Sequence, residues 1–188
     1  MDLGTGDGRA VVATATTCPD RLVVGIDPVA GAMAEASRRA AAPARKGGLP
    51  NALFVVASAE ALPPGLEGIA ALVTVSLPWG SLLRGALAID PVAARGIATL
   101  VAPGGCVDML LAPAGRDRLG ADVDVEARLS ASLETEWRTL GLELVEARPA
   151  TPAHLAARPT TWARRLRLAS AASAPDREPW RLLLERRP

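Results

Sequence analysis

Asp2-Leu3-Gly4-Thr5-Gly6-Asp7-Gly8, read together with Asp27, decides the fold of this chain. The stretch is a glycine-rich turn, and Asp27 closes the next apolar run. Gly6 and Asp27 stand 21 positions apart. That is the length a strand–loop–helix–strand unit needs to bring an acid back to the crevice where it began. Glycines there let backbone approach a ligand closely, and the acid can accept from two ribose hydroxyls. A dinucleotide-binding turn has a further glycine where Arg9 stands, so a nicotinamide cofactor fits poorly.

Working outward, apolar runs alternate with helical patterns, the signature of an α/β fold with an open, mostly parallel sheet and helices on both faces. Strands are predicted over Arg21–Ile26, Leu53–Ala57, Ile69–Val75, Cys106–Leu111, Leu142–Arg148 and Trp180–Arg187. Helices are predicted over Pro28–Ala42 and Val125–Leu140, the latter stopped by Gly141. Asp90-Pro91 reads as an N-cap followed by Pro at the first helical position, opening a helix to about Leu100. Only Met1-Asp2-Leu3 precede the glycine turn, so the first strand looks truncated. That strand belongs in the middle of the sheet, where shortening would leave ladder groups unpaired on two neighbours. The expectation is a true start upstream.

The chain has 188 residues, 49% of them hydrophobic and 22% charged, which fits one globular domain over residues 1–188 and excludes a disordered chain. No run reaches the roughly 18 apolar residues a membrane helix needs, and no secretory leader is legible. Cys18 and Cys106 read as buried thiols in a reducing, cytoplasmic setting, without metal spacing. His154 is the only histidine, which argues against His-based triads and multi-His metal sites. The net charge is +1, but its distribution is uneven. From Gly115 to Glu146, four Arg face eight acids; from Arg158 to Pro188, eight Arg face three acids. A neutral total can therefore hide a basic face able to meet phosphate.

Three further segments carry chemistry. Ala59-Glu60, followed by Leu62-Pro63-Pro64, comes just after a strand end. Leu77-Pro78-Trp79-Gly80-Ser81-Leu82-Leu83-Arg84-Gly85 begins where the next strand ends, which is where ligands sit in such sheets. It places Trp79 on a rigid turn, and an aromatic face is the usual clamp for a base held out of its stack. Thr160-Thr161-Trp162-Ala163-Arg164-Arg165-Leu166-Arg167 sets a second Trp before three Arg, whose planar forks suit phosphate. Trp137 and Trp180 lie within apolar patterns and read as core.

D-x-G-T-G-D-G, K-G-G-L-P-N (Lys46–Asn51), A-E-x-L-P-P, P-W-G-S-L-L-R-G and W-x-R-R-L occur here in that order. The first is similar to the S-adenosylmethionine (SAM) turn of class I methyltransferases. Together they resemble the aminoglycoside-resistance 16S rRNA methyltransferases of the KamB/NpmA kind, which methylate N1 of the decoding-site adenine 1408. The resemblance runs from Asp2 to about Arg167. It implies SAM as cofactor and 16S rRNA within the 30S subunit as substrate, met by a monomer. By position, Asp2, Gly4 and Gly6 would line the methionine end of SAM, and Asp27 would hold the ribose. Ala59 and Glu60 would flank the adenine, with Pro78, Ser81 and Thr160 bordering the reacting region. Trp79 and Trp162 would sandwich the target base. Arg38, Arg39, Arg45, Lys46, Arg164, Arg165 and Arg167 would meet rRNA phosphates. Thr160 stands where relatives often carry Ser, which keeps the hydroxyl. The family's N-terminal docking hairpin has no counterpart here. Two other readings stay open on the residues alone: a small-molecule SAM methyltransferase, and a non-catalytic SAM-fold protein that binds RNA.

Overall fold

In the computed structural model, residues 1–113, 117, 119, 128–129, 133–158, 160 and 179–188 are described. Their strands form one seven-stranded sheet. In chain order the elements are β1 (Asp2–Leu3), α1 (Arg9–Thr17), β2 (Val23–Asp27), α2 (Ala30–Ala40), β3 (Ala52–Val56), β4 (Ala70–Ser76), α3 (Gly80–Ala86), α4 (Pro91–Thr99), β5 (Val101–Leu111), α5 (Leu133–Thr139), β6 (Glu143–Pro149), α6 (Pro152–Ala156) and β7 (Trp180–Glu185). Strand order across the sheet is β3-β2-β1-β4-β5-β7-β6. The first five strands pair in parallel, and β7 runs antiparallel between β5 and β6. Chain direction across the sheet reverses between β1 and β4. Such a switch point opens a crevice beyond the strand ends.

β1 contributes two residues to the centre of the sheet: Asp2 sits between Gly25 and Thr74, and Leu3 between Ile26 and Val75. The Met1 ammonium donates to the Leu72 carbonyl at 2.6 Å, and the Met1 carbonyl accepts from Thr74 N at 2.8 Å. Beside them a cavity of about 510 Å³ runs between β2 and β4.

Predicted strands and observed strands agree to within a few residues, except that β5 starts at Val101, five positions before Cys106. Asp90 caps α4 as expected, accepting from Val92 N and Ala93 N at 3.1 Å each. Gly141, at φ 78°, ends the helix before β6. Of the predicted Val125–Leu140 helix, the regular described part is α5. Trp137 is fully buried, while Trp180 is half-buried against the core. One expectation needs correction. Cys18 and Cys106 are half-buried free thiols rather than buried ones, because Cys18 caps the end of α1 and Cys106 pairs in the sheet with the exposed Leu72 and Glu185. The Leu77–Trp79 turn leads directly into the helix α3, which opens at Gly80. Among the described residues no helix is long and apolar enough to cross a membrane.

Candidate methyl-donor site

The glycine turn closes tightly over the end of β2. Gly4 N and Thr5 N both donate to the Ile26 carbonyl, at 2.8 and 3.1 Å. Gly4, Gly6 and Gly8 all lie at positive φ (75°, 58° and 72°), a region that costs other residues about 1–2 kcal/mol each. A Cβ on Gly4 would also fall 2.5 Å from Leu82 Cδ2. Asp27, at 9% exposure, is held by both oxygens: Oδ2 accepts from Gly6 N and Oδ1 from Val29 N, at 2.9 Å each. Each oxygen keeps a lone pair for a further donor.

These groups open on a crevice of about 360 Å³, within the range of small-ligand sites. Gly4, Asp27, Ala59, Glu60, Pro78, Trp79, Ser81 and Thr160 all line it. Segments far apart in sequence thus converge on one mouth. Trp79, 76% exposed, stands at the start of α3 with its backbone extended (φ −138°, ψ 170°). Leu77 turns the chain toward it from a left-handed φ of 54°, held by its N–H to Leu110 O at 2.7 Å. The Ser81 hydroxyl beside Glu60 holds that carboxyl below the usual carboxylate range. The β3–β4 loop and α3 are thereby joined across the crevice.

Two of the predicted donor-lining residues sit elsewhere. Asp2 is buried beneath the turn, its Oδ1 accepting from Thr74 Oγ1 at 2.7 Å, and it faces the cavity between β2 and β4 instead. Burial pushes its carboxyl above the ordinary range, only partly offset by the Thr74 hydroxyl. Gly6 acts through its N–H on Asp27 and does not line the crevice. Asp7, Ser58 and Ser76, by contrast, do line it and were not singled out in the sequence. Their proximity to motif residues was the available signal.

Arg38 and Arg39 are exposed in the last turn of α2, and Arg45 and Lys46 in the 3-10 turn Ala44–Lys46 that follows. Because α2 runs back against its strands, all four stand toward the opposite end of the sheet from the crevice. Asn51, closing K-G-G-L-P-N, is a structural clasp: its amide donates to the carbonyls of Ala15, Cys18 and Arg21 at 2.9–3.1 Å. Trp162, Arg164, Arg165 and Arg167 lie outside the described residues. His154 takes part in a capping box with Thr151 at the start of α6, which leaves it a helix-capping role.

Chain reversal at β1 and β4, the glycine turn, the acid ending β2 and the antiparallel β7 set between β5 and β6 are together the architecture of a class I SAM-dependent methyltransferase. A carboxylate with two free lone pairs, beside a turn with little room for side chains, fits the ribose of such a donor. The family model described as "NpmA: 16S rRNA (adenine(1408)-N(1))-methyltransferase" matches residues 1–176. The enzyme of that name from Streptoalloteichus tenebrarius is 37% identical over 171 residues, covering 88% of this chain and 79% of that protein. The crystal structure of the aminoglycoside resistance methyltransferase NpmB1 superposes with a TM-score of 0.82 at 38% identity, covering 98% of this chain and 85% of that one. A mutant 16S rRNA (adenine(1408)-N(1))-methyltransferase from Catenulisporales acidiphilia, solved with cosubstrate SAM, gives a TM-score of 0.82 at 29% identity, covering all of this chain (100%) and 84% of that one. The chain belongs to the 16S rRNA (adenine(1408)-N(1))-methyltransferase family.

Proposed function

We propose that this chain methylates N1 of adenine 1408 of 16S rRNA in the assembled 30S subunit, acting as a monomer and conferring aminoglycoside resistance. The observation that carries the reading is the convergence of Gly4, Asp27, Glu60, Trp79 and Thr160 on one crevice, with an exposed indole at its mouth. Asp27 would hold the donor's ribose, and Ala59 and Glu60 would flank its adenine. When bound, SAM supplies a methyl group already activated on a sulfonium. Adenine N1 offers an in-plane lone pair, so the chain needs no strong base to expose a nucleophile. Its work is positioning for in-line attack. Trp79 and Trp162 would together grip the extruded base and offset part of the cost of unstacking it. The same faces would favour the cationic methylated ring, by on the order of 1–2 kcal/mol when desolvated. Arg38, Arg39, Arg45, Lys46, Arg164, Arg165 and Arg167 would meet rRNA phosphates, the first four of them away from the target base.

Primer extension on 16S rRNA from cells expressing the chain tests this directly. The expected result is a stop at adenine 1408 and growth in aminoglycoside. A chain that binds SAM but leaves that position readable in every transcript would refute it.

A further inference from the structure

The residue that leads into Thr160 is held with more care than the fold requires. Arg158 follows α6, and its side chain is only 14% exposed. It donates to Asp108 twice, reaching Oδ1 at 2.8 Å and the backbone carbonyl at 3.2 Å. Asp108 lies within β5, between Thr74 of β4 and Leu183 of β7. Arg181 of β7 already forks onto that carboxylate, Nε to Oδ1 at 3.1 Å and Nη2 to Oδ2 at 3.4 Å. It also reaches Glu146 at 2.8 Å, where Arg148 adds a second cation at 2.9 Å. Asp108, Glu146, Arg181 and Arg148 balance one another without Arg158. Removing Arg158 therefore leaves Asp108 still paired with Arg181, and withdraws from the buried Asp2 carboxyl only a secondary attraction, behind the Thr74 hydroxyl that bonds it.

What Arg158 does fix is the segment it carries. Its carbonyl accepts from Thr160 N at 2.8 Å, and its own N–H donates to Leu155 O at 3.3 Å. Leu155 is buried in a small cluster apart from the main core, with Leu77, Leu110 and Ala112. Leu77 is the left-handed residue that aims Pro78 and Trp79. Two arms of the crevice mouth, Pro78–Trp79 and Thr160, thus share one footing on the ends of β4 and β5.

We propose that Arg158 is a positioning residue for methyl transfer: its ion pair with Asp108, backed by Leu155 on Leu77 and Leu110, sets Thr160 across the crevice from the Pro78–Trp79 arm. The inference rests on this crevice being the donor site. It is tested by a double-mutant cycle on SAM affinity, measured by calorimetry without RNA, using Arg158→Ala, Thr160→Ala and the pair. Arg158→Ala should weaken SAM binding about tenfold, with melting shifted by only a few degrees. Arg158→Lys should recover part of the loss. In the Thr160→Ala background the same change should cost less than about twofold, because the two act as one unit. Persistence of the full factor in that background would overturn the proposal, as would unchanged affinity in Arg158→Ala. Should Arg158→Ala melt below the assay temperature, the cycle run with Arg158→Gln carries the same two outcomes. Single-turnover methylation of 30S subunits by the unmodified chain separates the readings. Inert protein with a coupled cycle sinks the rRNA target and leaves the positioning role standing. Active protein with an additive cycle sinks the positioning role alone.

Discussion

Trp79 concentrates the case at the scale of single residues. An indole three-quarters exposed is expensive in water and useful against a base. Stacking is worth roughly 1–3 kcal/mol per base, so Trp79→Ala should lower single-turnover methylation of 30S subunits by about 10- to 100-fold while SAM affinity, read by calorimetry, changes little. Loss of SAM affinity with intact turnover per bound donor would remove Trp79 from the base-binding role. Asp2 makes a different prediction. Its folded carboxyl binds a proton more tightly than the unfolded one, because burial penalises the charge. The stability this confers is complete below the ordinary value of 3.8 and is lost as pH rises through the raised folded value. Asn at this position carries no charge and escapes that loss. The melting temperature of Asp2→Asn relative to wild type should therefore climb as pH rises from 3.8 through the raised folded value, then level off; a pH-independent difference would show that Asp2 is not penalised.

At the scale of elements, the crevice depends on close packing behind it. Gly96 lies inside α4, where glycine costs a helix about 1 kcal/mol relative to alanine. Its reason is Ala59, whose carbonyl oxygen would be 1.8 Å from a Cβ at position 96. Gly96→Ala should gain helix propensity and still destabilise the fold, by about 1–3 kcal/mol in a denaturant titration, with weaker SAM binding because Ala59 lines the crevice. A more stable variant with unchanged SAM affinity would show that the β3–β4 loop yields freely. The helix α3 shows what local sequence signals leave out. Pro78 and Gly80 announce a turn, but a seven-residue helix with no side-chain N-cap carries no start signal. Its Leu83 is buried by tertiary packing.

For the molecule as a whole, charge is separated from chemistry. The cations Arg38, Arg39, Arg45 and Lys46 stand toward the far end of the sheet from the donor crevice, so a partner touching both must be large. Arg38→Glu with Arg39→Glu should weaken 30S binding and flatten its salt dependence, by about one in slope for each phosphate that is no longer neutralised. Filter binding across a salt series reads this, and an unchanged slope would take α2 out of the interface. SAM affinity should not respond, since these residues lie outside the crevice.

The strand–turn–acid unit, the alternation of strands with helices and the Asp90 cap were legible along the chain, because each is set by neighbours within one or two turns or by a fixed spacing. The same holds for Asp27, which ends β2 at the crevice with its oxygens held by Gly6 N and Val29 N. Strand order, the antiparallel β7 and the burial of Asp2 away from the crevice were not legible, since they depend on pairings between residues far apart in the chain, such as Asp2 with Thr74 and Asp108 with Leu183. The sequence alone determined the glycine turn and the acid that ends the next strand; tertiary packing decided which candidate residues line the crevice, because only the folded sheet sets which side of a strand meets the crevice and which meets a neighbour.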